Sequence, residues 1–381
     1  MRSTGPIATL ATATLSVTLG ALPIFLVGAN AIFIRTEIGF GETALGAAAS
    51  LFYLGAAAFS VPGGRITERL GAAWSMGIAA LLTLVSVAGI AGLVHEWWSL
   101  GLFLMIGGSA NGLSFPASAL ALAEGIPIQR QGIAFGVKQS SGPYATLLAG
   151  ASVPLVALTI GWRWAFVLAA LITIPVLARS NVGSSPSRAG KRPTRSVDTR
   201  SLWILSMGAF SIVVATSSFG AFYVESSVVR GITPALAGTL LAVGSALGVV
   251  TRIVWGGIAD RQREWHFPMI TAFLLIGAIG FSLMGRISGG TQLFFLTVLI
   301  YATGWAWPSV LSFAVVQRQP QAPAVASGII GTGQYGGGII GPIGFGFLVE
   351  RFSYQVAWQY AGVMALVAAG FMFVGGRGLS R

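Results

Sequence analysis

The chain contains no cysteine and only two histidines, His95 and His266, both in predicted loops. Disulfide bonds, thiolate metal sites and thiol nucleophiles are therefore excluded, and we expect no histidine-rich metal site. Charged residues are also scarce, at 8% of the 381 residues, against about 25% in an average soluble domain. A soluble protein of this composition would expose an aggregating apolar surface, so the sequence points away from that class.

Catalytic constellations are missing too. The ten acidic residues lie away from the centres of the long apolar stretches, and neither paired carboxylates nor a Ser/His/Asp set can be assembled from residues within reach. The sequence contains no glycine-rich phosphate loop followed by Lys-Ser or Lys-Thr. We therefore expect neither an enzyme nor an ATP-driven pump, and we predict no metal and no cofactor.

Long apolar stretches are what the sequence does have. Hydrophobic residues make up 55% of the chain, and the mean hydropathy is +0.82. A helix of roughly 20 apolar residues spans the ~30 Å hydrocarbon core of a bilayer, where the backbone must satisfy its own hydrogen bonds. The sequence therefore predicts an all-α integral membrane protein with twelve transmembrane helices. The predicted spans are approximately 8–34, 42–62, 74–94, 98–123, 132–158, 163–178, 201–225, 235–255, 268–286, 292–316, 325–350 and 356–376.

The net charge of +12 could suggest a nucleic-acid partner, but the positions of the basic residues argue against one. Five of the 22 basic side chains fall in one set of alternate loops, two fall inside spans, and the other fifteen fall in the opposite set of loops or at the termini. Cytoplasmic loops carry the excess of Lys and Arg in membrane proteins. We therefore expect a multi-pass protein of the cytoplasmic (inner) membrane, with both termini in the cytoplasm and basic side chains against anionic lipid.

Residues 179–200 differ sharply from their surroundings because they are rich in Ser, Pro, Gly and Arg. This composition is typical of a linker, and it divides the chain into predicted six-helix bundles at 1–178 and 201–381. The two bundles align at an offset of 192, where GRITER at 64–69 falls on GGIADR at 256–261. A repeat of this kind predicts two parallel, pseudo-symmetric halves.

With these residues in place, the chain resembles the major facilitator superfamily, a family of twelve-helix secondary transporters. GRITERLG at 64–71 and GGIADR at 256–261 look like the family's Gly-x-x-x-Asp-Arg-x-Gly loop and its second-half copy, with Glu68 where the family usually has Asp. The resemblance covers essentially the whole chain. It implies transport by alternating access, in which two halves rock about a site near the midplane.

The two motifs predict a gate on the cytoplasmic side. The resemblance implies that their charged residues latch this side in one conformation and release it in the other, through contacts of acids with arginines and helix ends. The alternative is that the arginines only fix the membrane topology. We expect Arg252 to reach the interface near the same end and support the second motif. The predicted gate residues are Gly64, Glu68, Arg69, Gly71, Arg252, Gly256, Asp260 and Arg261.

Lys138 in the fifth span is the main candidate for a substrate contact. A lysine inside a membrane helix costs roughly 2.5–3.5 kcal/mol on insertion scales, so its side chain normally faces a cavity or a partner. The alternative is that it snorkels to the cytoplasmic interface. In the layout that the resemblance implies, polar and aromatic side chains of neighbouring spans outline a pocket. The predicted substrate-binding residues are Lys138, Gln139, Asn111, Asn30, Tyr144, Tyr223, Trp305, Trp307, Gln334 and Tyr335.

A proton-driven carrier often uses a buried carboxylate, and the sequence offers Glu225 and Glu124 as candidate proton sites. Both lie near span ends, where we expect interfacial rather than buried positions. We predict a monomeric secondary transporter that moves a small, anionic solute. The alternative on the same fold is a proton-coupled exporter of amphipathic compounds or drugs. A third interpretation is a non-transporting membrane sensor or scaffold that uses a transporter fold; a sensor would bind its ligand without moving it.

Overall fold

The computed structural model describes residues 5–127, 131–180, 199–261, 265–319 and 323–379, and every regular element in this part of the chain is helical. Two short π-helical turns, at Val153–Ala157 and Ile300–Gly304, interrupt the α-helices. The α-helices are α1 Pro6–Ala29, α2 Ala31–Ile38, α3 Glu42–Leu70, α4 Ala72–Leu93, α5 Trp97–Gly125, α6 Gln131–Gln139, α7 Ser141–Ser152, α8 Arg163–Ser180, α9 Thr199–Val228, α10 Pro234–Arg261, α11 His266–Met284, α12 Gly290–Leu299, α13 Trp307–Arg318, α14 Pro323–Arg351 and α15 Tyr354–Leu379.

These helices form twelve passes, which confirms the predicted fold class. Within the described ranges, nine segments are long and apolar enough to cross a bilayer. The remaining three passes depart from a simple apolar helix. The fifth pass is divided into α6, α7 and a π-helical turn, the sixth is the shorter helix α8, and the eleventh is the glycine-rich helix α14.

Two stretches that we predicted as loops are the ends of helices. α3 continues through residues 64–70 and ends at Leu70, and the next residue, Gly71, has a φ of 82° in the left-handed region that favours glycine. α10 likewise continues to Arg261. The predicted span limits marked only the apolar part of each helix, and a helix can extend beyond the hydrocarbon core with polar side chains. Both gate motifs therefore lie on the last turns of helices.

Six passes precede and six follow residues 181–198, which lie outside the described ranges. Because twelve is an even number, residues 5 and 379 lie at the same end of the molecule. We name this the inner end, and the opposite end, with residues 39–41 and 352–353, the outer end; both names follow the predicted orientation. α1 packs on α7 and α4 on α8 in the first half, as α9 packs on α14 and α11 on α15 in the second.

The halves meet along three main seams, α3 with α14, α7 with α10, and α1 with α9. Glycines allow the closest approaches, and these lie toward the outer end. Gly28 lies against the backbone of Gly220, and Gly46 against that of Pro342, so a side chain at either position would collide with the other half. Nearer the inner end, Gly64 has open space where a Cβ would project, as far as the described residues show. The halves are thus packed tightly at the outer end.

Candidate functional site

Lys138 is enclosed within the first half. Its side chain on α6 is 2% exposed, and the ammonium group donates to the Phe115 carbonyl oxygen at 3.3 Å. The same ammonium lies 3.6 Å from the centroid of the Phe115 ring. Within the described part of the chain, no carboxylate forms an ion pair with it. A carbonyl dipole and an aromatic face are therefore its neighbours, and neither supplies a full counter-charge.

The fifth pass is interrupted next to Lys138. α6 ends at Gln139, Ser140 has φ −76° and ψ 2°, and α7 follows. Pro143 has no N–H, so it cannot donate the usual helical hydrogen bond to the Gln139 carbonyl oxygen. The Gln139 side chain meanwhile reaches the second half, where its Nε2 donates to Ser312 Oγ on α13 at 2.9 Å. Discontinuous helices of this kind commonly line the sites of membrane transporters.

Arg252 on α10 joins this interruption to a second one. Its side chain is 4% exposed, and its Nε and Nη2 donate to the Trp305 carbonyl oxygen at 3.1 and 2.7 Å. Its Nη1 donates to the carbonyl oxygen of Gln139 in the other half. Trp305 lies between the π-helical turn and α13 in the tenth pass. Arg252 is therefore buried deeper than we predicted, and it does not reach the interface beside the second gate motif.

A chain of hydroxyl groups crosses the same seam between α7 and α10. Thr146 Oγ1 and Ser245 Oγ lie 2.6 Å apart, and Ser245 Oγ donates to the Tyr301 hydroxyl at 2.7 Å. Our prediction left out these three residues. Each is a polar side chain inside an apolar span, which is the signal that selected Tyr223, so the same criterion would have found them.

An aromatic cluster lies beside these polar groups. Its centre is Phe219 on α9, and the ring centroids of Tyr223, Tyr301 and Trp305 lie 4.9, 5.7 and 5.8 Å from that of Phe219. Trp305 also meets Phe25 of the first half at 5.9 Å, edge to face. The cluster thus gives the second half an aromatic surface toward α1.

Two predicted substrate-binding residues form hydrogen bonds between helices instead of facing open space. Asn30 is fully buried, and its Nδ2 donates to the Leu26 carbonyl oxygen at 2.9 Å and to Ser152 Oγ at 3.1 Å. The buried Tyr223 hydroxyl lies 2.5 Å from Thr297 Oγ1. These contacts tie α1 to α7 and α9 to α12.

The remaining predicted substrate-binding residues have unused polar groups or partial exposure. Asn111, Tyr144 and Gln334 are half-buried, and their side chains form no hydrogen bond within the described ranges. Tyr335 is also half-buried. Trp307 is buried, and its indole N–H has no partner among the described residues. The structure therefore brings Gln139 and Trp305 together around Arg252, while the other predicted residues are distributed along neighbouring helices.

At the outer end, Arg35 on α2 pairs with carboxylates of both halves. Its Nη1 forms an ion pair with Glu225 on α9 and another, at 3.0 Å, with Glu42 on α3. Glu225 is fully buried, which corrects our expectation of an interfacial position, because Arg35 supplies the counter-charge that lets a carboxylate leave water. Glu124, the other candidate proton site, is exposed on the last turn of α5.

A second link closes the outer end. The Glu350 carboxylate, in the last turn of α14, accepts hydrogen bonds from the Thr43 backbone N–H at 2.9 Å and from Thr43 Oγ1 at 2.6 Å. Thr43 is the second residue of α3, whose N-cap, Gly41, provides no side-chain cap. Glu350 therefore caps a helix of the other half, and Gly41 leaves the space that its carboxylate occupies.

The predicted gate at the inner end is described only in part. The side chains of Glu68, Arg69, Asp260 and Arg261 lie outside the described residues, so their predicted role stays a prediction. Their backbones belong to the last turns of α3 and α10.

The sequence is similar to those of curated transporters. A protein of Agrobacterium vitis that is named for tartrate transport is 23% identical over 364 residues, which cover 85% of this chain and 82% of that protein. The quinolone resistance transporter of Acinetobacter baumannii is 22% identical over 384 residues, which cover 88% of this chain and 85% of that protein.

The fold is similar to those of solved transporters. A bacterial homologue of the human lysosomal transporter Spinster, inward-facing and unoccupied, superposes with a TM-score of 0.79 at 15% identity, over 98% of this chain and 97% of that one. The D-xylose–proton symporter gives a TM-score of 0.72 at 17% identity, over 96% of each chain. Residues 7–342 match the Major Facilitator Superfamily, so this chain belongs to that family of membrane transporters.

Proposed function

We propose that this protein is a secondary active transporter that moves a small organic anion across the membrane by alternating access. Family membership and the membrane-spanning helices support transport as the activity, since the curated relatives are transporters rather than enzymes. The positively charged side chains buried between the helices support an anion as the substrate.

Two buried cations without a counter-anion carry this proposal. Lys138 and Arg252 hydrogen-bond only to carbonyl oxygens within the described part of the chain. Glu225, the fully buried carboxylate of that part, is already paired with Arg35 at the outer end. A buried charge without an opposite partner is strongly unfavourable. A substrate anion beside these cations therefore offsets their desolvation.

Neighbouring groups support a specific pocket for such an anion. The half-buried amides of Gln139 and Asn111 offer donors and acceptors that orient it, and the indoles of Trp305 and Trp307 limit its size. The relative from Agrobacterium vitis is named for tartrate, a small dicarboxylate, which fits a site with two positive charges.

The packing supports an inward-facing state as the one described. The halves, proposed as 1–178 and 201–381, are joined at the outer end by the Arg35–Glu225 ion pair, the Thr43–Glu350 hydrogen bonds and glycine contacts, while Gly64 near the inner end has open space among the described residues. With the inner end in the cytoplasm, both termini and residues 179–200 lie there, and the basic loops face the anionic leaflet. We propose that one chain forms the working unit.

Tartrate transport into proteoliposomes tests the function. We expect the wild type to take up labelled tartrate and Lys138→Gln to reduce that uptake at least ~10-fold, because a hydrogen bond to a charged group contributes about 1.5–3 kcal/mol. The matched control is Arg286→Gln, which removes a positive charge from an exposed position at the outer end. Uptake that is equal in wild type and Lys138→Gln would show that Lys138 is not the counter-charge.

The second candidate is a proton-coupled exporter of amphipathic compounds. The aromatic cluster around Phe219 and the buried carboxylate of Glu225 favour it, as does the quinolone resistance transporter among the relatives. A thermal-shift titration separates the two functions, since a ligand raises the stability of the folded form that binds it. If norfloxacin stabilises the protein and tartrate does not, export of amphipathic compounds replaces anion transport as the proposed function.

A further inference from the structure

We infer that Arg252 is a second anion-binding residue of this site, and that the bound anion takes the Arg252 guanidinium away from the Gln139 carbonyl oxygen and so releases a link between the two halves. This inference rests on the proposed anion transport. It extends the site from the interior of the first half to the seam between α7 and α10.

Arg252 has only neutral hydrogen-bond partners among the described residues. Its guanidinium carries five N–H donors, and three of its hydrogen bonds go to two neutral carbonyl oxygens, those of Gln139 and Trp305. A carboxylate accepts charge-assisted hydrogen bonds from an arginine, and these are roughly twice as strong as neutral ones. Arg252 is therefore bound by partners that an anion can displace.

Both carbonyl oxygens that accept from Arg252 lie at interruptions of their helices. The Gln139 oxygen lacks its helical donor because Pro143 has no N–H, and Trp305 lies just outside α13. Loss of Arg252 opens no regular helical hydrogen bond, but it leaves the Gln139 oxygen without a donor among the described residues, so the hydrogen bonds of the anion to Arg252 have to offset that cost. Gly142 lies beside the guanidinium, where a Cβ would be 3.8 Å from Nη1, and its missing side chain leaves space along that edge.

The hydrogen bond between Arg252 and Gln139 also joins the two halves. Arg252 and Trp305 belong to the second half and Gln139 to the first, so the bond between Arg252 and Gln139 crosses the seam. The Gln139 side chain forms another bond across the halves, to Ser312. An anion that engages both Arg252 and the Gln139 amide replaces both links by contacts to itself. A ligand shifts a conformational equilibrium only when its affinities for the two conformations differ. Because the bound anion replaces links that hold the halves in one arrangement, we expect anion binding to favour the other arrangement of the halves.

Distance measurements between spin labels test the inference, because the chain has no cysteine of its own. We place one label pair at the inner end, with Leu70→Cys and Trp265→Cys, and another at the outer end, with Thr36→Cys and Phe352→Cys; all four positions are exposed. The full chain in lipid nanodiscs is measured with sodium tartrate and with sodium chloride. In the wild-type background, tartrate should lengthen the outer distances and shorten the inner ones.

Two substitutions of Arg252 separate its role in tartrate binding from its role in linking the two halves. In Arg252→Gln we expect the tartrate Kd to rise at least ~10-fold, since one charged partner is lost. In Arg252→Lys, which retains the charge but not the planar fork, tartrate binding should be retained in part. In both variants the empty protein should already show distances shifted toward those of the tartrate-bound wild type. The exposed control Arg286→Gln should leave the Kd and the distances unchanged.

The outcomes distinguish this inference from the proposed function. If the wild type and Arg252→Gln bind tartrate equally well, Arg252 does not bind the anion, and the proposed anion transport still stands. Distances in the empty Arg252 variants that match the empty wild type overturn the link. Wild type that binds no tartrate contradicts the proposed function and the displacement together. If Arg252→Gln does not fold, Arg252→Lys still gives both readouts.

Discussion

Glu37, at the end of α2, shows how one exposed side chain can join three helices. Trp162 Nε1 donates to its Oε2 at 2.6 Å, and Arg163 Nη2 donates to its Oε1 at 2.8 Å. Arg163 also donates to the carbonyl oxygens of Ala91 and Val94, at 3.0 and 2.9 Å. Burial raises the pKa of Glu37, but the hydrogen bonds from Arg163 and Trp162 outweigh it, so the pKa lies below its ordinary value. The carboxylate form thus ties α2 to α4 and α8.

Removal of this carboxylate should destabilise the protein at neutral pH only. A carboxyl group whose pKa is lowered by folding contributes stability that is fully present above the ordinary glutamate pKa, ~4.3, and that is lost as the pH falls through the folded-state pKa. We therefore expect Glu37→Gln to unfold at a lower temperature than the wild type at pH 7, with the difference vanishing in acid. The exposed carboxyl of Glu124 provides the control, as Glu124→Gln. A deficit that persists after full protonation would contradict the assignment.

At the scale of elements, α3 is a helix whose first turn is completed by the other half. Its N-cap glycine offers no side chain, and Glu350 of α14 supplies the missing acceptor. The opposite arrangement holds for α5, where Glu96 and Ser99 form a capping box within one segment. The cap of α3 therefore exists only while α3 and α14 are together at the outer end.

A methyl group at the N-cap of α3 should open the outer end. In Gly41→Ala the new Cβ would occupy the space of the Glu350 carboxylate, so the cap is lost. A cap is worth about 0.5–2 kcal/mol, and 1 kcal/mol changes a population ratio roughly fivefold. The label pair at Thr36 and Phe352 should report more of the longer distance. Gly289→Ala is the matched control, because Gly289 is also an outer-end N-cap but no described residue lies within 4 Å of where its Cβ would be. An equal response of both variants would contradict the capping role.

The apolar runs predicted the helices well, because ~20 apolar residues have one stable arrangement in lipid. Their interruptions were not predictable in the same way. The break at Ser140 and the π-helical turn before Trp305 are accompanied by Arg252, which satisfies carbonyl oxygens at both. These hydrogen bonds join helices that are far apart in sequence, so the hydropathy of a single span cannot predict them. The same holds for the cap that Glu350 provides.

At the scale of the whole molecule, the charges divide into an outer latch and a central site. Arg35 joins Glu225 of the second half to Glu42 of the first, whereas Lys138 and Arg252 lack carboxylate partners within the described ranges. The sequence identified Lys138 and Glu225 as unusual, because ionisable groups in membrane spans are rare. It could not show that one has a counter-charge and the other does not, since that depends on how the halves meet.

A double-mutant cycle measures the coupling free energy between Arg35 and Glu225 in the outer latch. Arg35→Gln should destabilise the closed outer end most, roughly 3–5 kcal/mol, because it leaves the Glu225 carboxylate buried and unpaired. Glu225→Gln should have a smaller effect, since Arg35 retains Glu42. The double variant should be less affected than the sum of the two, by about 0.5–3 kcal/mol, as read from thermal unfolding in nanodiscs. Glu225→Gln combined with Arg286→Gln should be additive. Additivity in the Arg35 pair as well would mean that the latch contributes nothing.

The trans-capped helix also runs the full depth of the protein. α3 is continuous from Glu42 to Leu70, a length of about 44 Å at 1.5 Å per residue, and Pro62 lies within its inner third. Glu350 caps its outer end, and its inner end carries the motif GRITERLG at 64–71. A helix released at its outer end can pivot, and Pro62 is the point at which its inner turns can bend. A single helix can therefore couple opening of the outer end to closing of the inner end, with no other element between them.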